Sequence, residues 1–281
     1  LAIRDELEAA QIRPFAMSGH CNLMDPERIP DFVKNIRLAA FFGCDYIVSS
    51  IGEAHLKDNA VADNPTVAES IRALVPHLER YGLTLVLETH GHDHGTGAVL
   101  SDIVRLVGSD RVKINYDTAN VIFYGRVDPV ADLRACVDDV AYLHLKDKAG
   151  AADVWDFPAL GKGWVDFPGI FRTLEEAGNA SPFSIEIEFT QAGPRDLAEI
   201  DRAVQDSADY LRAHGFEVTE GLGGIATWRD ALCFLMAGAT AVQMGTAGFA
   251  DPLAMPKAIE GLRAYCQREG LANIHEIQGI V

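Results

Sequence analysis

The chain lacks long apolar runs. Nothing in its 281 residues approaches the ~20 consecutive apolar residues that a membrane-spanning helix needs. Basic residues are scarce, with 24 Lys and Arg against 41 Asp and Glu and a formal net charge of −17. That balance argues against nucleic-acid binding, which calls for a basic face. It also requires that any anionic substrate be held by a local device, because the overall field repels it. Cysteine is sparse as well. The five (Cys21, Cys44, Cys136, Cys233, Cys266) are scattered and odd in number, with neither metal-ligand spacing nor a disulfide framework. A reducing cytoplasm is the expected compartment. There is no low-complexity linker and no short-period repeat. Arg4, Asp5 and Glu6 interrupt the first residues, which do not read as a signal peptide.

What is present is alternation. β-prone apolar runs occupy residues 12–18, 44–50, 83–88, 112–117, 140–147 and 183–189. Between and after them lie helical patterns. One starts at Asp25-Pro26 with Phe32, Ile36 and Ala39-Ala40 inward. Others span 66–81 (closed by Gly82), 101–107, 129–137, 167–178 and 195–214. Residues 1–11 read as the tail of an amphipathic helix. Strands separated by a helix must run parallel. Two further strands are expected, one leading into Gly221–Ile225 and one over 239–244, each followed by a helix. Six βα units and two more make eight, the number that closes a (β/α)₈ TIM barrel of ~250 residues. The expected fold class is therefore α/β, with residues 1–281 forming one TIM-barrel domain.

The organising stretch is Val140-Ala141-Tyr142-Leu143-His144-Leu145-Lys146-Asp147. An apolar run ending in His, Lys and Asp is what a barrel strand looks like where it empties into an active site. Alternation puts Tyr142, His144 and Lys146 on one face. Three other strands end in the same manner, so Glu88, Asp117, His144 and Glu186 can converge at one barrel mouth. Three carboxylates and an imidazole suit one divalent metal such as Mn²⁺, Mg²⁺, Co²⁺ or Zn²⁺. Glu186 and Glu188 would share a face, with one as ligand and Lys146 as a candidate cation beside them.

Residues 12–214 resemble the xylose-isomerase-like superfamily of sugar isomerases, epimerases and dehydratases. The resemblance rests on LVLETH (85–90), YDTAN (116–120), LHLKD (143–147), GKGWVDFPGIFRTLEEAG (161–178) and FSIEIEF (183–189). It implies metal ligands at Glu88, Asp117, His144 and Glu186, with Glu88 and Glu186 doubling as the acid/base pair. Asn120 falls where many members place a substrate-contacting histidine. The expected chemistry is isomerisation or epimerisation of a small keto or aldo sugar, or sugar phosphate, through an enediolate. His20, His90 and Lys146 are candidates for contacts to substrate hydroxyls. His92 and His94 flank a Gly-rich loop and are expected to face solvent.

Residues 219–281 resemble something else, the C-terminal end of the dihydroorotate dehydrogenases. The run is GLGGIATWRDALCFLMAGATAVQMGTAGFADP (221–252), followed by GLRAYCQREG (261–270). This resemblance implies a cradle for phosphate or FMN formed around Gly223, Gly224, Gly245 and Thr246. No Asn-rich active-site loop with its Cys or Ser base occurs in residues 1–218, so redox activity is not expected. The account is a barrel from two parents, with 1–215 isomerase-like and 216–281 dehydrogenase-like. An engineered or recombined chimera that binds phosphate or FMN without isomerase activity is the competing expectation.

Overall fold

The computed structural model describes residues 14–52, 62–216, 220–222, 227–236, 241–243 and 253–277. The helix expected over 1–11 lies outside these residues, as do Gly223, Gly224, Gly245 and Thr246 of the expected phosphate cradle. In chain order the first elements are β1 (Ala16–Ser18), α1 (Ile29–Phe42), β2 (Tyr46–Ser49), α2 (Asn64–Arg72), α3 (Val75–Tyr81), β3 (Thr84–Glu88) and α4 (Gly97–Val107). Next come β4 (Val112–Asp117), the single turn α5 (Asn120–Phe123), α6 (Pro129–Cys136), β5 (Val140–Leu145), β6 (Asp156–Phe157) and α7 (Phe167–Glu176). The last are β7 (Phe183–Glu186), β8 (Phe189–Thr190), α8 (Leu197–Ala213), β9 (Glu220–Leu222), α9 (Trp228–Met236), β10 (Ala241–Gln243) and α10 (Ala254–Glu269).

The chain divides into two compact units. One comprises Phe15–Val154 and Trp164–Phe183; the other includes Trp155–Gly163 and the described residues from Ser184 onward. In the first, β1 to β5 form a parallel sheet in sequence order, as strands linked by helices must. Strands β2 and β3 are buried on both faces, with Ile47, Val48, Leu85, Val86 and Leu87 all inaccessible. Val48, Val86 and Tyr142 make a core cluster with Phe15, Ala16, Tyr46 and Ala141 packed against it. The rings of Phe15, Tyr46 and Tyr142 lie 5.2–6.1 Å apart, tilted, as aromatic quadrupoles prefer.

Helix ends follow local chemistry. Asp25 caps a 3₁₀ turn at Pro26–Arg28 by accepting from Glu27 N–H, and that turn leads into α1, which buries Phe32, Ile36 and Ala39. The pattern over 66–81 is two helices rather than one. Pro76 sits in the first turn of α3, where it can neither donate to residue 72 nor fit against its carbonyl. Helix α4 begins at Gly97 rather than 101, because Thr96 Oγ1 accepts from Val99 N–H at 3.3 Å. Gly82 closes α3 at φ 71, the left-handed position that glycine adopts at no steric cost.

In the second unit, β7 pairs in parallel with β9, and β9 with β10, at the places expected for the last two strands. The run 183–189 does not stay a strand throughout. β7 stops at Glu186, and Phe189 turns to φ 59 to enter a short antiparallel pair with β6. Glu186 and Glu188 are both half-buried, with Ile187 buried between them. Among the described residues, Cys21, Cys44, Cys136 and Cys266 are free thiols. No helix there is long and apolar enough to cross a membrane.

Candidate metal centre

The site begins with a slip in register. Ile114 of β4 stands opposite Val140, but Asn115 stands opposite Tyr142, so β5 carries one extra residue at this point. Downstream, Asp117 faces His144. Without the extra residue Asp117 would oppose Leu143, and His144 would turn to the other face. On the neighbouring side Glu88 stands opposite Asn115. The ends of β3, β4 and β5 thus present Glu88, Asn115, Asp117 and His144 to one place.

Glu88, Asp117 and His144 are 5%, 0% and 3% exposed. One ligand atom from each lies within 4.8 Å of the others. His144 Nδ1 is 3.5 Å from Glu88 Oε1 and 3.9 Å from Asp117 Oδ2. The two oxygens of Asp117 have separate tasks. Oδ1 accepts from Ala119 N–H at 2.9 Å and Asn120 N–H at 2.8 Å, starting α5, and Oδ2 points at the cluster. Thr89 and Thr118 lock the strand ends together. Thr89 Oγ1 accepts from Asp117 N–H at 2.9 Å; Thr118 Oγ1 accepts from Lys146 N–H at 3.0 Å and donates to Lys146 O at 2.7 Å.

Lys146 continues the line of β5 and is buried, its Nζ 3.8 Å from Asp117 Oδ2 and 3.4 Å from Asn120 Oδ1. Holding the Glu88 and Asp117 carboxylates out of water is costly without positive charge beside them, which Lys146 supplies in part and a bound cation would add to. Carboxylate oxygens and an imidazole nitrogen at one place are a donor set that fits a divalent ion.

Of the other expected residues, Asn120 is buried; its Nδ2 donates to Glu88 Oε1 at 3.3 Å and its Oδ1 accepts from Lys146. It bridges two site residues. His20 stands at the rim with its side chain 38% exposed. Its Nδ1 accepts from Ser50 N–H at 3.1 Å, so its proton lies on Nε2, 3.9 Å from Glu88 Oε2. His90 Nε2 meets Tyr124 Oη at 3.2 Å, with the rings 4.7 Å apart. Glu186 ends β7 in the second unit, half-buried.

His92 is exposed as expected, but His94 is buried at 6%. Its loop folds inward at Gly95, which lies so close to Tyr124 Cβ and Gly91 O that an added Cβ would come within 2.6 Å of both. Burial pushes the His94 pKa below 6.5, against a smaller opposing pull from Asp93. Asn115 was not anticipated. Its Nδ2 lies 3.1 Å from His144 Nε2, inside the core. The readable signal was its position two residues before Asp117, on the same strand face.

This chain belongs to the xylose isomerase-like TIM barrel family, whose model matches residues 2–214. A dihydroorotate dehydrogenase family model matches residues 218–265. The catalytic subunit of dihydroorotate dehydrogenase B (NAD(+)) from Petrotoga mobilis is 51% identical over 61 residues, 22% of this chain and 20% of that protein. The chain thus spans about a fifth of the length of that curated relative. Among solved structures, the IolI protein with a bound zinc atom is similar at a TM-score of 0.61 and 20% identity, over 76% of this chain and 81% of that one. A D-psicose 3-epimerase in the presence of D-fructose is similar at 0.60 and 15%, over 75% and 85%. At these identities the likeness is one of fold.

Proposed function

We propose that the protein is a divalent-metal-dependent isomerase or epimerase of a small keto or aldo sugar, or sugar phosphate, working through an enediolate. The observation that carries this reading is the buried Glu88–Asp117–His144 cluster at adjoining strand ends. Family membership supports it, as do similar folds described with zinc and with a ketose. Glu186, at the end of β7, is proposed as the fourth ligand. A bound Mn²⁺, Mg²⁺, Co²⁺ or Zn²⁺ would supply positive charge that acidifies a C–H beside a carbonyl and stabilises the enediolate.

The chain's own residues do the rest. One of Glu88 and Glu186 takes the proton from carbon, and the other returns one from the opposite face. Return to the same carbon inverts it; return to the neighbouring carbon moves the carbonyl. Lys146 Nζ stabilises negative charge beside Asp117 Oδ2. Asn120 holds the Glu88 carboxylate through Oε1. His20 offers Nε2–H at the exposed rim, suited to a substrate hydroxyl, and His90 is proposed for a second hydroxyl.

The test is turnover of a panel of ketoses and aldoses and their phosphates in D₂O. The reading predicts inverted or isomerised product carrying solvent deuterium at the reacting carbon, abolished by Glu186→Gln. A Glu186→Gln variant with unchanged metal content and unchanged activity refutes the assignment.

A second reading has its own support, the dehydrogenase-like match over 218–265 directly after the isomerase-like one. On that reading one barrel domain over residues 1–281 joins two parents, and Gly223, Gly224, Gly245 and Thr246 hold FMN or phosphate without isomerase activity. A purified protein that is yellow and releases its colour to excess inorganic phosphate, with no turnover on the panel, favours it.

A further inference from the structure

His144 has two ring nitrogens with different tasks. Nδ1 faces Glu88 Oε1 and Asp117 Oδ2. Nε2 faces Asn115 Nδ2 at 3.1 Å. A ring nitrogen that binds a cation must offer a lone pair, so a neutral His144 using Nδ1 carries its proton on Nε2. That N–H is buried and needs an acceptor. An amide NH₂ cannot serve, because two donors do not bond. Meanwhile Asn115 Oδ1 is buried and accepts no hydrogen bond in this arrangement.

We propose that Asn115 is a positioning residue of the metal centre that selects the tautomer of His144. The inference rests on the metal-site reading above. Without metal, Nδ2 donates to Nε2, and the ring proton sits on Nδ1 towards the carboxylates. With metal, the Asn115 amide makes a half-turn, so that Oδ1 accepts from Nε2–H and Nδ1 is left bare. The proton given up at Nδ1 is matched by one taken up at Nε2, so the ring stays neutral. The half-turn exchanges an oxygen and a nitrogen of nearly equal size and requires little room. Asparagine is suited to this because it can both donate and accept; leucine can do neither and aspartate can only accept.

Two measurements test it. The first is long-range ¹H–¹⁵N correlation on histidine-labelled protein, metal-free and loaded with diamagnetic Zn²⁺. The expected result is a shift of the His144 proton from Nδ1 to Nε2 on loading. The second is the Zn²⁺ dissociation constant by competition with a chelating dye. Asn115→Leu is expected to weaken binding about 10–100-fold, the usual effect of removing a residue that orients a ligand, while Asn115→Asp holds wild-type affinity or better. A proton remaining on Nδ1 in the zinc-loaded protein overturns the proposal, as does wild-type affinity in Asn115→Leu. If that variant does not fold by circular dichroism, the wild-type spectra decide alone. Absence of zinc binding by the wild type overturns both this proposal and the metal-site reading. Tight wild-type binding with no tautomer shift overturns only this one.

Discussion

Asn120 Nδ2 donates to Glu88 Oε1 across 3.3 Å, joining residues 32 apart in sequence. Through its other amide atom the same side chain accepts from Lys146 Nζ at 3.4 Å. An uncharged residue thus spaces an anion from a cation inside a buried cluster. Asn120→Leu takes one bond from each. Removing a partner of buried charged groups costs about 1–3 kcal/mol, so the urea midpoint of the metal-free protein should fall accordingly. An unchanged midpoint would show that the bridge contributes nothing.

Lys146 lies beside Asp117 and Asn120, its backbone held by Thr118 and its side chain only 3% exposed. Lys146→Met leaves the buried carboxylates without that ammonium. Breaking a buried pair is destabilising by about 3–5 kcal/mol, and added divalent metal should restore part of the loss. Thermal unfolding with and without Mn²⁺ measures both. A variant as stable as wild type, with the same response to Mn²⁺, would contradict the charge accounting.

His94 gives a pH dependence of fixed sign. Its folded pKa is held below 6.5, chiefly by burial. As pH falls through that value the unfolded chain binds the proton first, so stability is full above it and declines below it. His94→Gln should flatten the slope between about pH 7 and pH 5 in urea titrations. Equal slopes in the two proteins would mean that His94 is as easily protonated folded as unfolded.

Asp132 accepts from Gly97 N–H at 2.7 Å, Ala98 N–H at 3.2 Å and Tyr116 Oη at 3.1 Å, so one carboxylate from α6 caps the start of α4. Asp132→Ala strands the Gly97 and Ala98 N–H groups, while Tyr116 Oη keeps Pro129 O at 2.8 Å, and should cost on the order of 2 kcal/mol. The Cys136 thiol beside it is pushed far up by burial, then by Asp132 and Asp139. Native protein should therefore resist alkylation at Cys136, and Asp132→Ala should expose it. Equal alkylation of both would show that the cap does not hold this corner.

The strand ends were legible because acids, an imidazole and a lysine interrupt apolar runs, where packing has no use for them. Glu88, Asp117 and His144 meet for that reason. Asn115 shares a strand face with Asp117 by alternation, but that alone does not say what it touches. Its role appears only once β4 and β5 are in register, and that register depends on one extra residue in β5. The burial of His94 was unreadable for a similar reason. A Gly-rich outlet looks solvated until its glycines are seen letting backbones approach. Nor does the sequence announce the left-handed turn at Phe189, three residues beyond the end of β7, because phenylalanine seldom adopts that conformation.

The most direct test is elemental analysis of the protein after incubation with Mn²⁺, Mg²⁺, Co²⁺ or Zn²⁺ and exhaustive dialysis, beside Asp117→Asn and His144→Ala. The account predicts one ion per wild-type chain for at least one of these metals, and its loss from both variants. A wild-type protein that retains none of the four, or variants that retain as much as wild type, would contradict it.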